Sequence, residues 1–236
     1  RYRSSAASDV YKRQALDCED RKSALDLLEP LQGHLKWVKI GLQMFTAYGL
    51  PFVNEIKSMG YNVFLDLKLH DIPNTVAKAV LSLSSASIDL LTIHASGGPE
   101  MCAYAVKARD ESNPNLKLLA VTVLTSMNQQ QMETLNVVKP VQDQVLDLAK
   151  ISIDAKVDGI VSSTHELKLL RETFGTKPLI VTPGIRPKDA DLNEQKRVMT
   201  PFDAKQLGAD YIVVGRPIYN SEDPLASVIS ILEDIR

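Results

Sequence analysis

Short apolar runs alternate with longer amphipathic segments along this chain. The runs are rich in Val, Ile and Leu, which is typical of strands buried on both faces of a parallel sheet, and the segments between them have helical periodicity. We predict strands at 15–17, 37–41, 63–69, 90–94, 116–124, 159–162, 179–182 and 211–215. We predict helices at 23–31, 45–59, 75–85, 99–110, 141–155, 165–174, 201–207 and 224–232.

Eight strands, each followed by a helix, predict an α/β fold with a single (β/α)8 TIM barrel. The chain has 236 residues, which suits one such domain, and we assign it to residues 15–236. Functional groups of these barrels lie at the carboxyl ends of the strands. Polar residues that close an apolar run are therefore the candidates for chemistry.

The first fourteen residues, RYRSSAASDVYKRQ, do not fit this pattern. Lys12, Arg13 and Gln14 fall where a buried strand should be nearly all apolar. We interpret residues 1–14 as a non-native junction from a library or from cloning, the alternative being a natural disordered tail. The integrity of the first strand is therefore in question.

Composition and charge exclude several classes of protein. The net charge is −2 and the sequence pI is about 6.1, so no basic face for nucleic acid is expected. Cys18 and Cys102 lie far apart and form no metal-binding motif, which predicts neither a disulfide framework nor a metal site. No apolar run is long enough to cross a bilayer, so we expect no membrane association and a cytoplasmic location.

Three charges follow one another at the end of the third predicted strand. Asp66 and Lys68 are two residues apart, so strand alternation would place both side chains on the same face, and Asp71 follows directly after the strand. Lys39 closes the second strand and could join them. The residues alone leave open a structural ion pair and a solvated lysine. Charges inside a barrel are costly unless paired, however, and a row of alternating sign would favour the ammonium form of Lys68.

The segment D-L-K-L-H-D-I-P-N-T at 66–75, with A-L-D at 15–17 and K-I-G at 39–41, resembles the orotidine 5'-monophosphate decarboxylase family. The resemblance extends from Ala15 to the C-terminus. It implies a cofactor-free lyase that converts orotidine 5'-monophosphate to UMP in de novo pyrimidine biosynthesis. It further implies that Asp66 and Lys68 are the central catalytic pair, that Lys68 protonates C6, and that Lys39 and Asp17 hold the ribose and complete the charge network.

The same resemblance implies a homodimer with shared active sites, because Asp71, Ile72 and Thr75 would reach the neighbouring subunit's site. The other residues that it implies contact the substrate: Thr125 at the pyrimidine, Pro183, Arg186 and Gln195 in a closing loop, and Gly215 and Arg216 at the phosphate. Taken alone, Thr125 could equally cap a loop, and a Pro-Gly loop is usually a solvated turn. Gly215 and Arg216 also follow the apolar run 212–214 of the eighth strand, at an end of the barrel that often binds phosphate.

Two other functions remain open at this stage. One is a phosphosugar decarboxylase or epimerase on the same barrel, which generally recruits a divalent metal. The other is a non-catalytic phosphate-binding barrel, which has no need of the charge row. His94 is a candidate base or metal ligand, but it has no carboxylate or cysteine companion, and we predict a structural hydrogen-bonding role for it, with His70 as a supporting neighbour.

Overall fold

The computed structural model of this protein describes residues 11–187 and 199–235, with residues 11–14 described by their backbone only. The strands are β1 (Tyr11–Leu16), β2 (Trp37–Gly41), β3 (Asn62–Leu69), β4 (Leu90–His94), β5 (Lys117–Val121), β6 (Gly159–Val161), β7 (Leu179–Pro183) and β8 (Tyr211–Val214). The helices are α1 (Arg21–Leu28), α2 (Leu42–Ser58), α3 (Pro73–Ser84), α4 (Gly98–Ser112), α5 (Gln129–Thr134), α6 (Val141–Asp154), α7 (Leu167–Phe174), α8 (Pro201–Gln206), α9 (Arg216–Tyr219) and α10 (Pro224–Asp234), with short 3-10 helices at Glu29–Leu31 and Ala95–Gly97.

The strands follow the order β1 to β8 in a closed barrel, so the predicted (β/α)8 fold class is confirmed. The described chain divides into two compact units. The central unit is Leu65–Ile180, and the flanking unit comprises the described residues up to Phe64 and from Val181 onward.

In the flanking unit, β1 pairs in parallel with β2 and β8, and β7 pairs with β8. The apolar side chains of these strands, such as Leu16, Ile40 and Ile212, are fully buried. In the central unit, β5 pairs in parallel with β4 and β6, and Ile93 and Leu119 are fully buried. Buried Val, Ile and Leu on these strands supply the hydrophobic stabilisation of each unit.

The first strand begins at Tyr11 rather than at residue 15, so the predicted start of this strand is wrong. Its main chain pairs with both neighbours, including Arg13 with Trp37 and Tyr11 with Tyr211. Main-chain N–H and C=O groups can form the hydrogen bonds between strands whatever side chain a residue has. The polar side chains of residues 12–14 therefore did not prevent the pairing. That residues 1–14 are foreign to the natural protein stays a prediction.

Among the described residues, the helices α5 and α9 were not predicted, and the strands β5, β6 and β8 were predicted to end later than they do. The α5 helix begins at a capping box. The Asn128 side chain accepts a hydrogen bond from the main-chain N–H of Gln131, and the Gln131 side chain accepts one from the main-chain N–H of Asn128. The β5 strand ends at Val121 instead of residue 124, and α9 follows directly after Gly215.

No helix within the described ranges is both long and apolar enough to cross a membrane.

Candidate active site

Asp66 and Lys68 form an ion pair at the end of β3, in the central unit. The Lys68 Nζ donates to both oxygens of the Asp66 carboxylate, at 2.9 Å each. The side chains of Asp66 and Lys68 are 14% and 34% exposed, so the pair is partly shielded from water. A shielded pair with two short contacts is electrostatically stronger and better fixed than a surface ion pair.

The backbone at Lys68 is in the left-handed region, with φ of 51°. A non-glycine residue there stores strain of about 1–3 kcal/mol, and such strain tends to occur at functional sites. Simple strand alternation, from which we predicted that Asp66 and Lys68 share a face, therefore does not describe the local geometry. The two charged groups do meet, with Lys68 in a left-handed conformation within β3.

Thr92 of β4 connects the two members of this pair. Its Oγ1 accepts from the Lys68 main-chain N–H at 2.8 Å and donates to Asp66 Oδ1 at 2.9 Å. The Thr92 side chain is fully buried. The sequence analysis missed this residue, although a single hydroxyl inside the apolar run 90–94 was a usable signal.

Asp71, Ile72 and Thr75 lie where β3 passes into α3, and all three are exposed in this single chain. Asp71 Oδ1 accepts from the Ile72 main-chain N–H at 2.7 Å. Ile72 is 67% exposed, so a large aliphatic side chain lies at the surface beside Asp71. These residues are available to a second chain.

His94 closes β4 and stacks on His70, with ring centroids 5.2 Å apart. Its Nδ1 lies 2.6 Å from Ser96 Oγ and also accepts from the Ser96 main-chain N–H at 3.4 Å. Burial, assisted by the nearby charges of His70 and Lys68, lowers the pKa of His94 below its ordinary value. This environment favours a neutral, hydrogen-bonded imidazole, and the structural role of His94 stays a prediction.

A second charged pair lies in the flanking unit. Asp17 follows β1, and its Oδ1 is 3.8 Å from Nζ of Lys39 on β2. The Lys39 side chain is 12% exposed, whereas that of Asp17 is 51% exposed. A Cβ at Gly41 would lie 3.2 Å from Lys39 Nζ, so glycine leaves room for this ammonium.

The loop after β8 brings Gly215 close to Asp17. A Cβ built at Gly215 would lie 3.8 Å from Asp17 Oδ2 and 3.5 Å from Tyr219 Cε1. Burial, together with the neighbouring Asp17, raises the pKa of Tyr219, and Arg216 opposes that shift. Arg216 itself is exposed at the start of α9.

The remaining predicted site residues are more scattered. Pro183 ends β7, and Arg186 is buried with its main-chain N–H bonded to the Met199 carbonyl at 3.2 Å. Thr125 lies in an exposed turn after β5. Gln195 lies outside the described residues. Within the part of the chain that the structure describes, no group of three or more His, Cys, Asp or Glu side chains is arranged to hold a metal ion.

Comparison with known proteins identifies the family of this chain. The model of the orotidine 5'-phosphate decarboxylase / HUMPS family matches residues 14–231. An orotidine 5'-phosphate decarboxylase of Opitutus terrae is 45% identical over 221 residues, which are 94% of this chain and 96% of the relative. The chain belongs to the orotidine 5'-phosphate decarboxylase / HUMPS family. The resemblance drawn from the sequence is thereby confirmed.

Two further relatives extend this result. An orotidine 5'-phosphate decarboxylase of Staphylococcus saprophyticus is 45% identical over 220 residues, covering 93% of this chain and 95% of that protein. The crystal structure of the orotidine 5'-phosphate decarboxylase from Lactobacillus acidophilus superimposes with a TM-score of 0.86 at 36% identity, covering 97% of this chain and all of that one. Relatives that carry the decarboxylase name thus match nearly the whole chain in sequence and in fold.

Proposed function

We propose that this chain decarboxylates orotidine 5'-monophosphate to UMP in pyrimidine biosynthesis, that residues 15–236 form its catalytic domain, and that it needs no cofactor. The observation that carries the proposal is the Asp66–Lys68 pair, which lies within the segment most specific to the family and has its ammonium fixed at 2.9 Å from the carboxylate. Family membership and relatives of the same name over most of the chain support the substrate.

Lys68 is the group that stabilises and then protonates the reacting carbon in this proposal. When the bond between C6 and the carboxylate breaks, its electron pair remains on C6 and carbon dioxide leaves. A fixed ammonium in a partly shielded site stabilises that charge without reorganisation, and it then transfers one of its protons to C6. Lys68 recovers a proton from solvent after the reaction.

Asp66 holds the ammonium in position and lies beside the departing carboxylate of the substrate. Repulsion between the two carboxylates would strain the bound substrate, but we rank this contribution below stabilisation of the transition state. Enzymes lower barriers by about 8–23 kcal/mol, and no single hydrogen bond supplies that amount. Several preorganised groups must act together, and we include Lys39 and Asp71 among them.

We assign the contacts with the rest of the substrate on the family resemblance. Asp17 and Lys39 bind the ribose, and Thr125 binds the pyrimidine. A Cβ at position 215 would make only ordinary contacts with its neighbours, so packing within the protein does not require glycine there. We infer that glycine is present because it lets the backbone approach the phosphate closely. Arg216 is exposed and can pair with that phosphate. We also assign to the substrate Pro183, at the end of β7, and Arg186 and Gln195, which follow it in the chain.

We further propose a homodimer in which Asp71, Ile72 and Thr75 complete the site of the partner subunit. Large apolar side chains are exposed at Ile72, on α3 at Leu81 (43%) and on α4 at Tyr104 (44%). The two helices pack on each other in the central unit, so both can contribute to one interface. Exposed apolar groups beside functional charges are typical of surfaces that bind a partner.

A cytoplasmic location completes the proposal. Both cysteines are free thiols, Cys102 being buried and Cys18 partly buried. Burial raises the pKa of Cys102 to about 11. A protein with unpaired cysteines suits a reducing compartment.

The test is the ultraviolet absorbance change of orotidine 5'-monophosphate with purified protein, with and without exhaustive chelation by EDTA, and with UMP identified as the product. We expect turnover that chelation does not reduce, because the charge that stabilises C6 is supplied by Lys68. Loss of activity with EDTA and recovery with Mg2+ would favour the phosphosugar alternative. Tight binding of the nucleotide without turnover would favour the phosphate-binding alternative.

A further inference from the structure

Thr92 lies in the middle of β4, a strand whose other residues are Leu, Leu, Ile and His. The Thr92 side chain is fully buried, and valine has nearly the same shape and would satisfy the packing. A buried hydroxyl is unfavourable unless it is hydrogen-bonded, and the Thr92 hydroxyl has two partners in the central unit. Packing therefore does not explain why this position carries threonine.

The direction of both hydrogen bonds is fixed by chemistry. The main-chain N–H of Lys68 can only donate, so Thr92 Oγ1 accepts from it at 2.8 Å. The single hydroxyl proton of Thr92 is then directed to the Asp66 carboxylate oxygen at 2.9 Å, which can only accept when ionised. One side chain thus holds the backbone of Lys68 and the carboxylate of Asp66 at the same time.

This double contact occurs at the residue whose backbone is strained. Lys68 has φ of 51°, and a left-handed residue directs its main-chain N–H away from an extended strand geometry. The Thr92 hydroxyl accepts a hydrogen bond from that N–H, and the Asp66 carboxylate accepts one from the ammonium of the same residue. Without the hydroxyl, the Lys68 main-chain N–H would lose this acceptor and an extended conformation at Lys68 would become more favourable, so the ammonium would no longer be fixed in its present position.

We propose that Thr92 is a positioning residue that holds Lys68 in its left-handed conformation and orients the Asp66 carboxylate, so that the ammonium is fixed for the reaction at C6. The catalytic part of this inference rests on the proposed function, whereas the conformational part does not. Thr92 acts through the pair and touches no substrate in this account.

Two matched comparisons separate this role from packing. Thr92→Val removes the hydroxyl and keeps the volume, while Thr92→Ser keeps the hydroxyl and removes a methyl group. Thr92→Ala differs from Thr92→Ser only by the hydroxyl, so this second pair decides the question even if the valine variant does not fold. Steady-state kinetics with orotidine 5'-monophosphate and calorimetric binding of UMP, which lacks the reacting carboxylate, are measured for all four variants, wild type included.

We expect Thr92→Val to lower kcat by about ten- to a hundredfold relative to wild type, as for loss of a hydrogen bond to a charged group. We expect the same ratio between Thr92→Ala and Thr92→Ser. The dissociation constant of UMP should change by less than about threefold, because ground-state binding of the product does not depend on the position of the ammonium. Equal kcat within each pair, or a loss of UMP affinity parallel to that of kcat, would overturn the proposal.

Amide hydrogen exchange of Lys68, measured by NMR, tests the conformational part without any turnover. The Lys68 amide should exchange about tenfold or more faster in Thr92→Val than in wild type, and in Thr92→Ala than in Thr92→Ser. Unchanged exchange would overturn the proposed positioning role. If wild type showed this protection but did not decarboxylate the nucleotide, the proposed function would fail and the structural role of Thr92 would stand.

Discussion

The ammonium of Lys68 lies 2.9 Å from both oxygens of the carboxylate of Asp66, two residues earlier in the chain. The backbone at Lys68 is left-handed, and Thr92 hydrogen-bonds to both residues. The pair is thus held by a strained conformation and a buried hydroxyl rather than by regular strand geometry. Catalysis by charge stabilisation depends on such preorganisation.

Subunit mixing tests whether the proposed site is shared between two chains. Lys68→Ala and Asp71→Asn homodimers should each be nearly inactive, since each lacks one charge at every site. Mixed at equal amounts with random pairing, half of the dimers are heterodimers with one intact site each, which restores about a quarter of wild-type activity. No recovery despite demonstrated subunit exchange would place Asp71 in the site of its own subunit.

Arg216→Ala tests the assignment of the phosphate site. Arg216 is exposed in the described chain and is proposed to pair with the phosphate dianion of the substrate. We expect kcat/KM for the nucleotide to fall by about ten- to a hundredfold, the size of a lost charge-assisted hydrogen bond. Orotidine, the nucleoside that lacks the phosphate, serves as the control substrate. Its kcat/KM should be low, and it should be the same for wild type and for Arg216→Ala. A comparable loss with orotidine would show that Arg216 does not bind the phosphate.

The lowered pKa of His94 predicts a pH dependence of stability. Its ordinary pKa in an unfolded chain is about 6.5, and burial lowers the folded-state pKa below that value. Above about pH 6.5 the imidazole is neutral in both states, whereas at lower pH the unfolded state binds a proton that the folded state does not. The free energy of unfolding should therefore decrease as pH falls through this range.

Urea unfolding at pH 7.5 and at pH 5.5 measures the effect. His94→Asn removes the titrating group and should show a smaller loss of stability between the two pH values than wild type. His34→Asn, at an exposed position, is the control and should lose as much as wild type. A loss in His94→Asn as large as that of wild type would mean that His94 is not responsible.

Much of the fold could be predicted from the sequence, because a parallel sheet buries nearly continuous apolar runs. The bounds of β2 and β4 were predicted to the residue for this reason. The first strand was placed too late, since its backbone pairs despite polar residues, and α5 was missed because it begins at a cap rather than in an apolar pattern. Hydrogen bonds determine where β1 begins and that α5 forms, and the pattern of hydrophobic residues contains no information on these hydrogen bonds.

The chemistry of the candidate site could be predicted in part. The charges among the apolar runs of the sequence indicated Asp66, Lys68 and Lys39, and the ion pairs of Asp66 with Lys68 and of Asp17 with Lys39 are present in the structure. The left-handed backbone at Lys68 and the buried contacts of Thr92 could not be predicted, because they depend on which residues of β4 lie beside β3. Sequence spacing within one strand does not contain that relationship.

The most direct test of the account is the kcat of Lys68→Ala for decarboxylation of orotidine 5'-monophosphate. Lys107→Ala is the matched control, because Lys107 is an exposed lysine on α4 that pairs only weakly with Glu111 at 3.8 Å. Both variants should fold as wild type does by circular dichroism. We predict that Lys68→Ala lowers kcat by about a hundredfold or more while Lys107→Ala keeps the wild-type value. A folded Lys68→Ala protein that retains wild-type kcat would contradict the assignment of Lys68 to the reaction at C6.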